Sequence, residues 1–198
     1  MRFPDMVGCF LREEAVFDVP MCDATPESTR DYGIFIGEDV LQAGLGIPFY
    51  VGSVEEGQNL DFRYHGQAVV RTARISHRDP HLMWFERHLR MTQIFLGLGS
   101  VPFVMVLAKP NHEEGRDLPD FETLTAFRMP PGTGIMIHAG TWHDFPMAID
   151  RPVTVFTANS AEVVEALCAV DGPQEIDQGD VYKINIPERT GVTPRVPF

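Results

Sequence analysis

Apolar residues along the chain are grouped in short segments, several of which alternate with polar residues. Sixteen prolines and seventeen glycines separate these segments, and such punctuation is typical of an all-β sandwich or barrel. The candidate strands cover residues 33–36, 47–54, 68–76, 82–88, 92–98, 101–108, 123–129, 134–139, 153–158 and 181–186. Residues 101–108 are almost entirely apolar, which predicts a strand that is covered on both faces.

One segment has the pattern of a helix instead. Ser160 can cap a run over residues 161–167 in which Val163 and Leu167 share a face. Both ends of the chain lack clear periodicity, and we expect them to be arms that embrace a neighbouring subunit. The predicted organisation is an N-terminal arm over 1–30, a barrel domain over 31–160, and a C-terminal helix and tail over 161–198.

Composition and charge narrow the partners that the chain can have. With 198 residues, 44% of them hydrophobic and 22% charged, the chain has the composition of one globular domain with a sizeable core. The formal net charge of -12 argues against electrostatic binding of nucleic acid or of anionic membranes. A small anionic substrate stays open, because salt screens distant charges within about 10 Å and a few local cations or a metal then dominate.

The cysteines and the N-terminus indicate in which cellular compartment the protein is located. Cys9, Cys22 and Cys168 are odd in number and have no CxxC spacing, so we expect a reducing environment. The N-terminus mixes charges into its apolar residues, and no apolar run reaches the roughly 18 residues of a membrane span. We therefore expect a soluble, cytoplasmic protein.

The run PGTGIMIHAGTWH, residues 131–143, carries the first candidate chemistry. A buried strand can end near residue 139, Gly140 allows a tight turn, and His143 then points its imidazole back toward the interior. Trp142 beside it can wall a pocket. The alternative is a core histidine whose ring is hydrogen-bonded to a backbone carbonyl.

A second run, WFERHLRMTQIFLGLGS, supplies side chains that can join His143. Glu86 and His88 lie two apart on a predicted strand and therefore face the same side. Gln93 on the following strand can face them across a hairpin. Four polar side chains are thus expected to converge between the strands.

These two runs resemble the paired motifs of the cupin superfamily. The second motif maps as Gly132, Gly140 and His143, with His138 where the motif has proline and Met147 where it has asparagine. The first maps more loosely. The resemblance implies a cupin-type double-stranded β-helix, a jelly-roll barrel with few short helices. It also implies a site for a divalent metal (nickel, manganese, iron or zinc) with two histidines and two oxygen donors.

Four short sequence motifs narrow the resemblance to one family within this superfamily. They are Tyr32-Gly33, Arg63-Tyr64-His65 followed by Ala68, Glu86-Arg87-His88 with Thr92-Gln93-x-Phe95, and His138 with Trp142-His143. In this order they resemble the ureidoglycolate lyase family of purine catabolism and allantoin degradation, over about residues 31–160. Gly66 and Gly97 depart from the usual family residues, and both ends extend beyond a typical member.

The resemblance implies cleavage of the C–N bond of ureidoglycolate, or of a similar N-substituted hydroxyglycine, to glyoxylate and urea or an amine. A cation must fix the carboxylate and hydroxyl groups, a base must take the hydroxyl proton, and an acid must protonate the leaving nitrogen. The expected metal ligands are His88, His143, Glu86 and Gln93; the expected catalytic groups are His88, His143, Glu86 and His138; the expected substrate contacts are Arg63, Gln93, Trp142 and Tyr64.

The same residues are compatible with other functions. Glu86 can orient a histidine without binding metal. Arg63 can form a surface ion pair instead of contacting the substrate. The protein can also be a metal-dependent cupin oxygenase or isomerase, because two histidines and a carboxylate also bind non-haem iron. A third alternative is a non-catalytic cupin that binds a small acid. We expect a homodimer, because the edges of jelly-roll sheets need cover.

Overall fold

The computed structural model describes residues 15–50 and 52–198, and strands dominate the fold. The strands are β1 Ala15–Asp18, β2 Met21–Asp23, β3 Gly33–Ile36, β4 Ala68–Ile75, β5 Trp84–Arg87, β6 Gln93–Leu98, β7 Phe103–Ala108, β8 Thr125–Met129, β9 Gly134–Ile137, β10 Trp142–His143, β11 Met147–Ala148, β12 Val153–Ser160, β13 Ile176–Gln178, β14 Val181–Asn185 and β15 Val192–Arg195. The helices are α1 Pro26–Thr29, α2 Ala161–Cys168 and α3 Ile186–Thr190, with 3-10 turns at Pro48–Tyr50, His112–Glu114 and Phe121–Thr123.

Two large sheets make up most of the described part of the chain. The first has the order β13-β14-β5-β10-β7-β8-β2, with β11 also paired to β7, and the second has the order β3-β9-β6-β12-β4. The short parallel pair of β1 and β15 forms a further sheet. This is the expected all-β, cupin-like arrangement, with two facing sheets in place of a closed barrel.

The two faces of β7 define two cores. Phe103, Met105 and Leu107 pack between the large sheets with side chains of the second sheet such as Phe95 and Val155. The alternate residues of β7 lie in a second cluster on the outer face of the first sheet. Every residue of β7 is buried, so the prediction of a strand covered on both faces is confirmed.

Residues 15–23 and the C-terminal tail complete the second cluster. Val19 follows β1 and Val196 follows β15, and both side chains are buried there. β2 also pairs in parallel with β8. Residues 15–23 and the tail thus pack on their own chain, whereas residues 1–14 of the predicted N-terminal arm, with Cys9, lie outside the described residues.

The strand expected over residues 47–54 is wrong. Pro48 begins a 3-10 turn, and the side chain of Phe49 is 80% exposed. Proline cannot donate to a strand ladder, and Gly46 and Gly52 flank the segment, so its apolar composition alone was misleading. The helix prediction is confirmed as α2, although Ser160 directs its hydroxyl to the Met91 sulfur and makes no side-chain cap. Within the described residues, no helix is long and apolar enough to cross a membrane.

Candidate metal and substrate site

Glu86, His88 and His143 converge between the two large sheets. β5 and β10 are antiparallel neighbours, and Glu86 lies directly opposite His143. His88 follows the end of β5 two residues after Glu86, which keeps it on the same side. Glu86 Oε1 is 3.6 Å from His143 Nε2 and 3.9 Å from His88 Nε2. All three side chains are buried, as the motif pattern predicted.

Backbone carbonyls fix the orientation of both imidazoles. His88 Nδ1 donates to the carbonyl of Asp180 at 2.6 Å, and His143 Nδ1 donates to the carbonyl of Thr141 at 3.0 Å. A carbonyl only accepts, so each neutral ring carries its proton on Nδ1 and leaves a lone pair on Nε2. Among the described residues, neither buried Nε2 atom has a hydrogen-bond partner. Metal-binding histidines have this same arrangement.

A lysine compensates the buried carboxylate. Lys183 lies opposite Glu86 on the neighbouring strand β14, and its Nζ donates to Glu86 Oε2 at 2.9 Å. Burial raises the pKa of Glu86, but the charge of Lys183, the nearby imidazoles of His88 and His143 and the lysine hydrogen bond together lower it to about 2. Glu86 is therefore a carboxylate at neutral pH, with Oε1 turned to the histidines.

The protonation state of His143 suits a metal ligand. Burial lowers the pKa of His143 to about 4, although the charge of Glu86 opposes this change. The ring is thus neutral at neutral pH, and a cation would not have to displace a proton from it. One candidate ligand atom from each of the three residues lies within 4.8 Å of the others. Two imidazoles and a carboxylate fit a divalent transition metal.

Gln93 occupies the facing sheet beside this cluster. It shares the inward face of β6 with Phe95, whose ring centroid is 6.0 Å from that of His143. Gln93 Nε2 donates to the hydroxyl of Thr157 at 3.3 Å. Its Oε1 is buried and has no hydrogen-bond partner among the described residues. Gln93 therefore presents one acceptor oxygen to the interior.

Trp142 does not line this cluster. Adjacent residues of a strand face opposite sides, so Trp142 points into the outer core while His143 points inward. Its indole ring is fully buried, lies under the guanidinium of Arg87 at 4.5 Å, and donates from Nε1 to the Asn111 side chain at 2.9 Å. The structure gives Trp142 a packing position in place of the expected pocket wall.

The structure does not bring Arg63, Tyr64 or His138 to the cluster either. Arg63 is paired with Asp61 on the surface. Arg63 and His138 line a separate cleft of about 360 Å³, which none of the three cluster residues lines. His138 Nε2 contacts a backbone carbonyl of Arg30 at 3.2 Å. Tyr64 is half exposed.

The substitution Arg63→Ala is therefore expected to change turnover of the substrate by less than about threefold, because a surface ion pair contributes little. Steady-state rates with ureidoglycolate, compared between the wild type and this variant, provide the measurement. A rise in KM of about 100-fold, the size expected for loss of a charged hydrogen bond to a carboxylate, would instead assign Arg63 the role of a carboxylate clamp.

Several polar residues near the cluster were missed by the sequence analysis. Lys183 was visible as the single charge in a strand of apolar and uncharged residues. Thr157 and Asn159 continue the inward alternation of Val153 and Val155, so polar side chains occupy core positions. Polar residues at these otherwise apolar core positions were the signal in the sequence that could have identified them.

A family model for ureidoglycolate lyase matches residues 54–174. The chain belongs to the ureidoglycolate lyase family. Glu86, His88, Gln93 and His143 all lie inside the matched segment of this family member, and Lys183 lies beyond it. Membership of this family, in the cupin superfamily, identifies a lyase at the family level.

Other comparisons add less. No curated protein matches this ureidoglycolate lyase family member in sequence. Among solved structures, the crystal structure of a dTDP sugar isomerase from Desulfovibrio desulfuricans aligns with 20% identity. The alignment covers 74% of this chain and 83% of that chain, with a TM-score of 0.38.

Proposed function

We propose that the protein is a metal-dependent lyase that cleaves ureidoglycolate to glyoxylate and urea. The observation that carries the proposal is the buried set of Glu86, His88 and His143, in which both imidazoles keep an unpartnered Nε2 atom. The set lies within the segment that matches the family model. The family relationship supports this substrate and these products.

The reaction moves one proton and breaks one bond. The 2-hydroxyl group loses its proton, a carbonyl forms on the same carbon, the C–N bond breaks, and the leaving nitrogen takes a proton. A divalent cation, when bound by His88, His143 and Glu86, would act as a Lewis acid that lowers the pKa of the hydroxyl group. Because no water is consumed, a buried site that excludes solvent favours this elimination over side reactions.

The described residues also suggest how protons are handled. Glu86, with a pKa of about 2, is a weak base, and this favours its role as a ligand over a role in proton transfer. Lys183 donates from Nζ to Glu86 Oε2 beside the cluster, and it is partly open to a cleft of about 270 Å³ that Trp84 also lines. We assign to Lys183 the protonation of the leaving nitrogen, and the same Nζ then takes up the proton that the 2-hydroxyl group releases, so that the lysine ends the reaction in its starting state.

Metal removal tests the proposal. The purified protein, treated with a chelator, is expected to lose glyoxylate release from ureidoglycolate and to regain it with one of nickel, manganese, iron or zinc. Oxygen exclusion is expected to leave the rate unchanged. Glyoxylate release at no more than the enzyme-free rate with every metal would contradict the proposal.

The same experiment tests a second function, that of an oxygenase, which the ligand set also fits. Two histidines and one carboxylate are also the ligands of non-haem iron oxygenases. Oxygen uptake with iron and a small organic acid would support that function. Binding of a small acid without any turnover would indicate a non-catalytic cupin.

We also propose a homodimer and a cytoplasmic location. β4 is an edge strand of eight residues, and Val70 on it is 66% exposed. Long strand edges are normally covered, and a second copy of the chain provides that cover. The described cysteines Cys22 and Cys168 are both free, as expected in a reducing compartment. Light scattering at defined concentration measures the assembly.

A further inference from the structure

Asn159 is a fully buried amide without a protein partner. Its side chain extends inward from β12, and its exposed fraction is 0%. Neither the amide oxygen nor the amide nitrogen has a hydrogen-bond partner among the described residues. Because both atoms are unpaired, the amide can turn either way to meet a ligand.

Such an arrangement destabilises the fold unless something pairs with the amide. A buried polar group without a partner loses its hydration and gains nothing in return. The side chains of the other buried asparagines of the described chain form hydrogen bonds within the protein. Asn111 accepts from Trp142, and Asn185 accepts from the backbone of Glu188 at the start of α3. Asn159 is therefore unlike a structural asparagine.

Asn159 lies at the same end of the interior as Gln93. β12 pairs with β6, where Ala158 is opposite Ile94 and Thr157 is opposite Phe95. The next inward position of β12 after Thr157 is Asn159, and the next inward position of β6 toward its start is Gln93. The bond from Gln93 Nε2 to Thr157 leaves Gln93 Oε1 as an acceptor. One unpaired donor and two unpaired acceptors therefore lie at this end of the interior, one inward position along from Phe95 and Thr157, and the ring centroid of Phe95 lies 6.0 Å from that of His143.

We propose that Asn159 and Gln93 form a subsite for the ureido group of the substrate. The inference rests on the proposed lyase function and specifies which part of the substrate each side of the interior recognises. A ureido group presents a carbonyl acceptor beside N–H donors, so it can pair with both amide atoms of Asn159 at once. A carboxylate can pair only with the amide nitrogen and is repelled by the oxygen.

This assignment gives the two ends of the substrate different surroundings. The carboxylate and hydroxyl groups face His88, His143 and Glu86, and the ureido group faces Asn159 and Gln93. A neutral, hydrogen-bonded pocket for the leaving group gives specificity, because a substrate that lacks the ureido N–H and carbonyl groups would leave buried polar atoms unpaired.

Two small ligands and two variants test the subsite. N-carbamoylglycine carries the carboxylate and ureido groups of ureidoglycolate but lacks the hydroxyl group, so it cannot undergo the elimination. Glycolate carries the carboxylate and hydroxyl groups and lacks the ureido group. The variant Asn159→Leu keeps the size of the side chain and removes both polar atoms. Asn185→Leu is the control, because it removes a buried asparagine that serves as a helix cap.

Calorimetry with the metal-loaded protein measures both affinities. Asn159→Leu is expected to weaken binding of N-carbamoylglycine by about 10- to 100-fold, the usual range for lost buried hydrogen bonds, and to leave glycolate binding within about twofold. Its thermal stability is expected to equal or exceed that of the wild type. Asn185→Leu is expected to lower stability and to leave the ratio of the two affinities unchanged.

The outcomes separate this inference from the proposed function. An equal loss of both ligands in Asn159→Leu, or unchanged binding of N-carbamoylglycine, would overturn the subsite. Wild-type release of glyoxylate by Asn159→Leu would also overturn it and leave the lyase function standing. Selective loss of N-carbamoylglycine binding in Asn159→Leu, together with no glyoxylate release by the wild type, would support the subsite and reject the lyase.

Discussion

The variant His143→Ala is expected to lose divalent metal binding and turnover of ureidoglycolate by at least about 100-fold, because it removes one of only a few metal-binding groups. His143 Nε2 is an unpartnered ring nitrogen that faces Glu86 Oε1, and its Nδ1 is held by the carbonyl of Thr141. Alanine supplies no lone pair at this position. Metal content after dialysis and the rate of glyoxylate release provide the measurements.

The matched control is His81→Ala. His81 is a partly exposed histidine that pairs with Asp79 on the surface, and its loss is expected to leave metal content and turnover at wild-type levels. Circular dichroism verifies that His143→Ala retains its strands. A folded His143→Ala protein with full metal content would contradict the assignment of His143 as a ligand.

The sequence predicted much of the fold because its strands follow local rules. The strands predicted over residues 68–76 and 153–158 correspond to β4 and β12, which pair along their full lengths. The convergence of Glu86, His88 and His143 was also predictable, because residues two apart share a face and Gly140 marks a turn. Gly140 indeed has a φ of 82°, which favours glycine.

Other parts of the site depend on packing between distant segments. Lys183 reaches Glu86 only because β14 pairs with β5, and no short-range pattern specifies that neighbour. Trp142 was misplaced because β10 has two residues, too few to show an alternation that would set the tryptophan on the face opposite His143. Arg63 was judged by its place in a motif, whereas Asp61 two residues earlier already provides its ion pair.

Removing the positive charge beside Glu86 is expected to have the second large effect. In Lys183→Met, burial loses its main opposing influence, so the pKa of Glu86 rises from its wild-type value of about 2. Metal-free protein is then expected to lose about 3 kcal/mol of unfolding free energy at neutral pH, as for other buried ion pairs that lose one partner. Denaturant unfolding in the presence of a chelator measures this loss.

The pH dependence of this stability loss follows from the difference between the pKa of Glu86 in the wild type and its pKa in Lys183→Met. In the wild type the lowered pKa, about 2, adds stability above pH 4.5 that disappears as the pH falls toward 2. In Lys183→Met the higher pKa leaves less of this stability to lose, so the variant becomes more stable relative to the wild type as acid protonates Glu86. The stability difference between the two proteins is therefore expected to shrink steadily on acidification from neutral pH.

A control variant and a metal titration test whether the stability loss arises at Glu86. Lys109→Met removes a half-exposed lysine that pairs with Asp31, and it is expected to change stability by less than about 1 kcal/mol at any pH. Adding the divalent metal to Lys183→Met is expected to restore part of the lost stability, because a cation on Glu86 Oε1 replaces the missing charge. Equal losses in both lysine variants would argue that Lys183 does not compensate Glu86. A Lys183→Met loss that metal leaves untouched would argue that Glu86 is not a metal ligand.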